Sequence, residues 1–424
     1  MPMFSIRTKG PAASAAIVAA CVCIAAAAYF FAVWGIGNAL AVRADTLDIA
    51  KFAISLATDD PQAHYTAGVL YERTFVPEDL PRSLAEFEKA TALSPHNYLL
   101  WLELGKARER SGDADGAEAA LRKALSLAPN YSSVQWALGN ALLRSGKPEE
   151  AFEYVRKAAL GSGEYLAPAA GIAMDMFDGD AAAVRRALGD SPAMNSALAV
   201  YLAGHKRYDE AMEFWNRIPD DDKRGEFKAQ SEALMRQFID AKKFGDAAAV
   251  YSVLNAGAGE MPARGHITNG GFETGLKARG ASLFEWNVAE GELPQVAMSG
   301  DQRHGGSQSL WIIFNTTETK DFRQIAQTVL VEPGASYEFE AFYRAELKTS
   351  ARIVWEVVDA ADGKVMASTP AAANTVEWAP LHAAFTVPAN SDAVVIRLTL
   401  AGCASPVCPV TGRLWFDDLS LRNK

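Results

Sequence analysis

Cysteine is scarce in this chain: four residues in 424, as Cys21/Cys23 and Cys403/Cys408. Neither pair has the CxxC spacing of a zinc ribbon or a redox motif. Histidine is as thin, six residues at 64, 96, 205, 266, 304 and 382, scattered without ligand spacing. HExxH, the P-loop, the GxSxG elbow and the Rossmann fingerprint are all missing, and with them the enzyme classes that depend on those motifs. The acidic run Asp220-Asp221-Asp222 reads as a solvated loop between helices. A net charge of −10 lacks the basic footprint of a nucleic-acid binder, so no nucleic acid is expected as a partner. Charge of either sign is missing from Gly10 to Val42.

That uncharged stretch is the first feature present rather than absent. About 20 apolar residues cross a bilayer, and residues 12–42 supply enough. Arg7 and Lys9 precede the stretch, and Arg43, Asp45 and Asp48 follow it. The positive-inside bias then puts the N-terminus in the cytoplasm and the bulk of the chain outside it, as a single-pass protein of an inner membrane. Two rival readings exist. Ala39-Leu40-Ala41 has the A-x-A form of a signal-peptidase site, although the apolar run exceeds a typical signal core. Val18-Ala19-Ala20-Cys21 has the form of a lipobox, but lipidation at Cys21 would leave some twenty apolar residues on the mature chain. All three readings place the bulk outside the cytoplasm.

A register of thirty-four residues follows. Leu104-Gly105 recurs as Leu138-Gly139, Ala117 as Ala151, and Ala124 as Ala158. Small and apolar positions locked to that period mark stacked helical hairpins, none able to bury its apolar face alone. With Trp101, Gly112, Leu121 and Pro129 in place, residues 98–130 resemble a tetratricopeptide repeat (TPR), and the repeat from Ser132 follows suit. Gly112 and Gly146 fall in turns that suit a left-handed residue. The flanks are more degenerate: residues 48–61 read as a lone second helix, 165–192 as a shortened pair, and Ala211/Trp215 and Ala247/Tyr251 as two further second helices. The resemblance implies a protein partner on the concave face, where Lys106 and Asn140, and Arg110 and Arg144, occupy equivalent positions. A solvated face is the plainer reading of the same four residues. Trp101, Trp136 and Trp215 are expected in packing.

Helical periodicity stops at residues 255–265, rich in Gly and Pro. Alternation follows at 337–345, 352–359, 394–400 and 413–421, which reads as an antiparallel sandwich. The order NGGFE (269–273), Trp286, GGSQSLWI (305–312), VEWAPLHAAFTVP (376–388) and WFDDLSL (415–421) resembles the jelly-roll carbohydrate-binding modules of the galactose-binding-like superfamily. The resemblance implies that the first and last strands lie together around a structural calcium, for which Glu273 and Asp417 or Asp418 hold the motif positions. Carboxylates beside main-chain carbonyls suit such an ion; no other cofactor is required. Strand-end hydrogen bonding is the alternative role for the three. Sugar binding needs aromatic platforms, for which Tyr343 and Trp311 are the candidates; Trp286, Trp355 and Trp378 are expected in the core. A disulfide between Cys403 and Cys408 suits an extracytoplasmic loop, with free thiols as the alternative.

The expected organisation is multidomain: a cytoplasmic stub and transmembrane helix (1–44), an all-α TPR solenoid (45–255), a linker (256–265) and an all-β jelly-roll sandwich (266–424). The expected role is a non-catalytic, membrane-anchored adaptor or scaffold of a bacterial envelope. It would bind protein through the solenoid and a glycan through the jelly roll, in exopolysaccharide or surface-glycan assembly. A structural subunit of a membrane complex, with both regions binding protein, is one alternative. A glycan-active enzyme is the other.

Overall fold

The computed structural model describes residues 10–277, 280–316, 322–349, 351–402 and 409–424. A helical part is followed by an all-β part, as the periodicities predict. Contacts divide the chain into two compact units, Met1–Met194 and Asn195–Lys424.

The first unit opens with α1 (Pro11–Arg43), a helix of 33 residues whose only buried members are Gly37 and Ala41. Among the described residues it is the one helix long and apolar enough to cross a membrane. After it come α2 (Leu47–Leu56), α3 (Pro61–Glu72), α4 (Leu80–Leu93), α5 (Tyr98–Arg110), α6 (Ala114–Leu127), α7 (Ser132–Arg144), α8 (Pro148–Gly161), α9 (Leu166–Met176) and α10 (Ala181–Leu188). Helices α3/α4, α5/α6 and α7/α8 pack as antiparallel hairpins. Local chemistry fixes their ends. Asn97 Oδ1 accepts the Leu99 amide at 3.0 Å, and Asp113 Oδ1 accepts the Gly116 amide at 2.9 Å, so each side chain caps a helix start. Gly112 and Gly146 close α5 and α7 at φ +83° and +72°, the left-handed turn that glycine adopts without steric cost. Within a hairpin the backbones nearly touch: a Cβ on Gly105 would lie 2.5 Å from Leu121 Cγ, and one on Gly139 2.8 Å from Val155 Cγ2. Leu104, Leu121, Leu138 and Val155 are buried around them.

Helix α2 is not the lone second helix that its sequence suggests. The end of α1 packs along it, with Ala41, Ala53 and Ala63 in one apolar cluster.

The second unit begins within α11 (Pro192–Gly204) and continues through α12 (Tyr208–Asn216), α13 (Asp220–Arg224), α14 (Lys228–Asp240) and α15 (Phe244–Leu254). Residues 220–224 form a short helix rather than a plain loop, because the Lys223 stem is buried and its ammonium lies 3.9 Å from the Trp215 ring centroid. The β-sandwich then runs through β1 (Asn287–Val288), β2 (Gln295–Ser299), β3 (Ser309–Thr316), β4 (Ile325–Leu330), β5 (Ser336–Thr349), β6 (Arg352–Asp359), β7 (Val365–Ser368), β8 (Thr375–Thr386), β9 (Ala393–Ala401) and β10 (Val410–Asn423). One sheet has the order β1-β4-β9-β6-β7 and the other β2-β3-β10-β5-β8; every pairing is antiparallel.

Inward residues alternate as a half-buried strand requires: Leu310, Ile312 and Phe314 on β3, Phe339, Ala341, Tyr343 and Ala345 on β5, Leu414 and Phe416 on β10. Trp355 is fully buried at the centre, tilted or edge-on to Trp286, Phe339 and Phe416. Helix α15 is tied to the sandwich by Asp392, whose Oδ2 accepts the Gly245 amide at 2.8 Å. The Tyr251 ring also packs against Phe284 at 5.5 Å. Burial pushes the Tyr251 phenol up to about 12.

Candidate functional site

Period-two geometry turns Trp311 outward, because its neighbours Leu310 and Ile312 point into the core. Strand register then builds a row across the outer face of the second sheet. Trp311 lies directly opposite Trp415, and Trp415 directly opposite Arg344. Opposed residues in neighbouring strands sit close enough for their side chains to interact. The Arg344 guanidinium lies over the Trp415 ring at 5.8 Å. Its Nη1 donates to Gln302 Oε1 at 2.8 Å and its Nη2 to Glu346 Oε1 at 3.4 Å. Three donors of this row, Trp311 Nε1, Trp415 Nε1 and Arg344 Nε, are shielded from solvent and have no hydrogen-bond partner among the described residues. A buried unpaired donor costs about 1–3 kcal/mol, so the row is set to gain from acceptor oxygens. Trp415 is itself buried and Trp311 only partly exposed, so a ligand reaches these atoms only by rearranging side chains on this face.

A second aromatic group adjoins the row. Phe342 shares the outer face of β5 with Arg344. The His304 ring stacks on it with centroids 3.8 Å apart and lies 5.7 Å from Trp378. Phe342 also lines a cleft of about 780 Å³ together with Glu273, Trp286, Glu340, Asp418 and Arg422, a volume typical of small-ligand sites.

Glu273, Asp417 and Asp418 all engage the loop that carries His304. Asp417 is fully buried; its Oδ2 accepts the His304 and Gly305 amides at 2.8 and 3.0 Å. Burial pushes its carboxyl up, and those amide bonds pull it back. Asp418 Oδ2 lies 2.6 Å from His304 Nδ1. Glu273 Oε1 accepts the Ser307 amide at 2.8 Å and its Oε2 the Ser307 hydroxyl; the hydroxyl first, then the Ser307 and Gln308 amides, hold this carboxyl below its ordinary range. The NGGFE segment does lie beside the last strand, where the Leu419 amide donates to Gly270 O at 2.9 Å. It is a turn and not a strand, with Asn269 and Phe272 at positive φ. Oδ2 of Asp417, Oδ2 of Asp418 and both oxygens of Glu273 meet N–H or O–H groups of the His304 loop, the strand-end hydrogen bonding that is the alternative role of the three. Among the described residues no three such side chains are grouped as ligands of one ion. Calcium binding thus rests on the resemblance alone.

Tyr343 is a correction. It is buried in the core between the two sheets, because it shares parity with Ala341 and Ala345, and its hydroxyl accepts the Ala373 amide. It offers no platform. Trp378 stands outside the core cluster, against His304, whereas Trp286 and Trp355 are core residues as expected. Cys403 and Cys408 lie outside the described residues. Sequence reasoning missed Trp415, Phe342, Gln302 and His304. Trp415 shares parity with Arg413, but its neighbours Leu414 and Phe416 are as apolar as it is, so the sequence pattern alone does not assign its face.

In the first unit, Arg110 and Arg144 take equivalent places on successive first helices. Arg110 pairs with Glu72 of α3, and Arg144 with Glu109 of α5. The two arginines thus tie neighbouring repeats together. Lys106 Nζ pairs with Glu103 at 2.9 Å and Asn140 Nδ2 donates to Trp136 O at 2.9 Å, both within their own helix.

Residues 77–132 and 102–167 match the family described as Tetratricopeptide repeat, and residues 264–405 the family described as Carbohydrate binding domain. No curated protein matches the chain. Among solved structures, a CBM4 structure is 18% identical, covering 37% of this chain and 99% of its own, with a TM-score of 0.29. The crystal structure of MamA is 16% identical over 40% of this chain and 83% of its own, TM-score 0.28. YrrB, a TPR protein with an unusual peptide-binding site, is 14% identical over 49% of this chain and 90% of its own, TM-score 0.26. Scores this low say nothing of ligand or partner.

Proposed function

We propose that this chain is a membrane-anchored, non-catalytic adaptor that holds a protein on its helical repeats and a glycan on the outer face of its second β-sheet. The TPR match suggests protein binding and the carbohydrate-binding match suggests a glycan. The observation that carries the glycan reading is the row Trp311–Trp415–Arg344 with its three unpartnered donors. The partly exposed indole of Trp311 suits the C–H face of a sugar ring, and the N–H donors of the row, once the buried Trp415 is uncovered, suit its oxygens. The anchor reading is supported by α1, exposed to its surroundings over most of its length. The flanking charges favour an inner membrane with the repeats and sandwich on the extracytoplasmic side, a setting that fits assembly of a surface glycan.

The test is a glycan array probed with the full chain in lipid nanodiscs, followed by titration of the best ligand. Trp415→Ala and Arg344→Ala should each weaken binding by about tenfold or more, equivalent to roughly 1.4 kcal/mol. Binding that survives both substitutions would remove the row from the reading. No binding to any glycan would favour a sandwich that docks protein.

A further inference from the structure

The glycines that let paired helices touch follow a rule. Gly105 meets Leu121 and Gly139 meets Val155, each sixteen residues on. Gly68 meets Phe87, nineteen on, the three extra residues falling in the longer turn around Phe75. A close approach of the same kind, displaced by one helical turn, occurs at Gly37, inside the apolar N-terminal helix. A Cβ there would lie 2.8 Å from Ala57 Cβ, twenty residues on, 3.1 Å from Leu56 Cβ and 3.1 Å from the carbonyl oxygen of Ala53, sixteen on, where Gly105 and Gly139 meet the carbonyl oxygens of Ala117 and Ala151, twelve on.

Packing repeats the pattern. Helix α5 touches its partner α6 and the next first helix α7; α1 touches α2 and the next first helix α3. Ala41 is buried against Ala53 and Ala63. Asn38 Nδ2 donates at 3.0 Å to Oδ2 of the buried Asp60, whose other oxygen caps α3 at the Gln62 amide.

We propose that the end of α1, about Trp34 to Arg43, is the first helix of the first repeat, so that one continuous helix both enters the bilayer and starts the repeat array. A helix of 33 residues is about 50 Å long, and a bilayer core takes about 20 residues, which leaves about a dozen for this second role. The segment is therefore retained. Cleavage after Ala39-Leu40-Ala41 would strip Gly37, Asn38 and Ala41 from α2 and α3. The bilayer becomes a fixed partner of the first repeat, with no flexible link between them. The proposal rests on the anchor reading for the earlier two-thirds of the helix only.

The test uses the full chain with a C-terminal tag, extracted from membranes and placed in nanodiscs. Its intact mass should include the apolar segment; a chain starting near Val42 would overturn the proposal. Hydrogen exchange of the α2 and α3 amides should rise by about tenfold or more in Gly37→Leu and less in Asn38→Ala. Gly35→Leu is the control, since a side chain there meets nothing within 4 Å. Equal exchange in Gly37→Leu and Gly35→Leu would overturn the proposal even if the protein is integral to the membrane. Release of the wild type by alkaline carbonate would instead remove the anchor reading, and the exchange contrast would still report whether α1 completes the repeat.

Discussion

His64 shows how one side chain can set a pH dependence in the first unit. It is buried on α3, with Nδ1 2.6 Å from Glu86 Oε2 and Nε2 2.9 Å from Thr58 O. Both ring nitrogens face acceptors, which a doubly protonated ring satisfies together. The Glu86 bond is the main reason that its pKa lies above the ordinary histidine value, against the opposing effect of burial. A raised folded-state pKa means that the fold binds this proton more tightly than the unfolded chain does. The resulting stability is complete below about pH 6.5 and is lost as pH rises through the folded value. His64→Gln should therefore cost more stability at pH 6 than at pH 8, as read by exchange of the α3 and α4 amides at both pH values. An equal loss at both would place the effect in packing rather than in the proton. Glycines divide by cause in the same unit. Gly139→Ala forces a methyl group to 2.8 Å from Val155 Cγ2 and should cost about 1–3 kcal/mol by overpacking. Gly112→Ala meets nothing within 4 Å but sits at φ +83°, and should cost about 1–2 kcal/mol through backbone strain alone. Denaturant titration of each variant checks both values.

At the scale of elements, α15 depends on a residue from the far side of the sequence. Its second residue, Gly245, gives its amide to Asp392 of the β8–β9 turn at 2.8 Å, so the sandwich supplies a cap that α15 lacks locally. Asp392→Ala should cost about 0.5–2 kcal/mol, the range for a lost N-cap, and should speed exchange along α15 more than along α14. Equal exchange in the two helices would show that Asp392 does not fix the helix start. The period of the helices and the alternation of β5, β6, β9 and β10 are legible in the sequence because each reports burial on one element. The cap from Asp392 is not, because it joins residues that only the tertiary fold brings together. The candidate site divides the same way. Arg344 and Glu346 share an outward face in the sequence pattern, yet Tyr343 beside them belongs to the core. Leu414-Trp415-Phe416 is apolar on both faces, so the text does not show which face of β10 is covered by the opposing sheet. Only the pairing of β10 with both β3 and β5 places Trp415 between Trp311 and Arg344.

For the whole molecule, an adaptor needs two binding functions that can be lost one at a time, on the same side of one membrane. Charge supports the side: Arg7 and Lys9 precede the apolar helix, and the first acidic residues, Asp45 and Asp48, follow it. A C-terminal alkaline phosphatase fusion should be active and a C-terminal green fluorescent fusion dark when expressed in a bacterial cell; the reverse pattern would turn the protein round. The residues proposed for the two functions lie in separate compact units, and substitutions without shared partners act independently. Arg144→Glu sets a carboxylate against Glu109, the present partner of Arg144, and leaves the sheet row unchanged. Trp415→Ala empties the centre of that row and leaves the repeats unchanged. Affinity purification of the anchored chain should lose its protein partner with Arg144→Glu and keep it with Trp415→Ala, while glycan titration should give the opposite result. If Trp415→Ala also released the protein partner, both surfaces would serve one protein, and the chain would be a structural subunit rather than an adaptor.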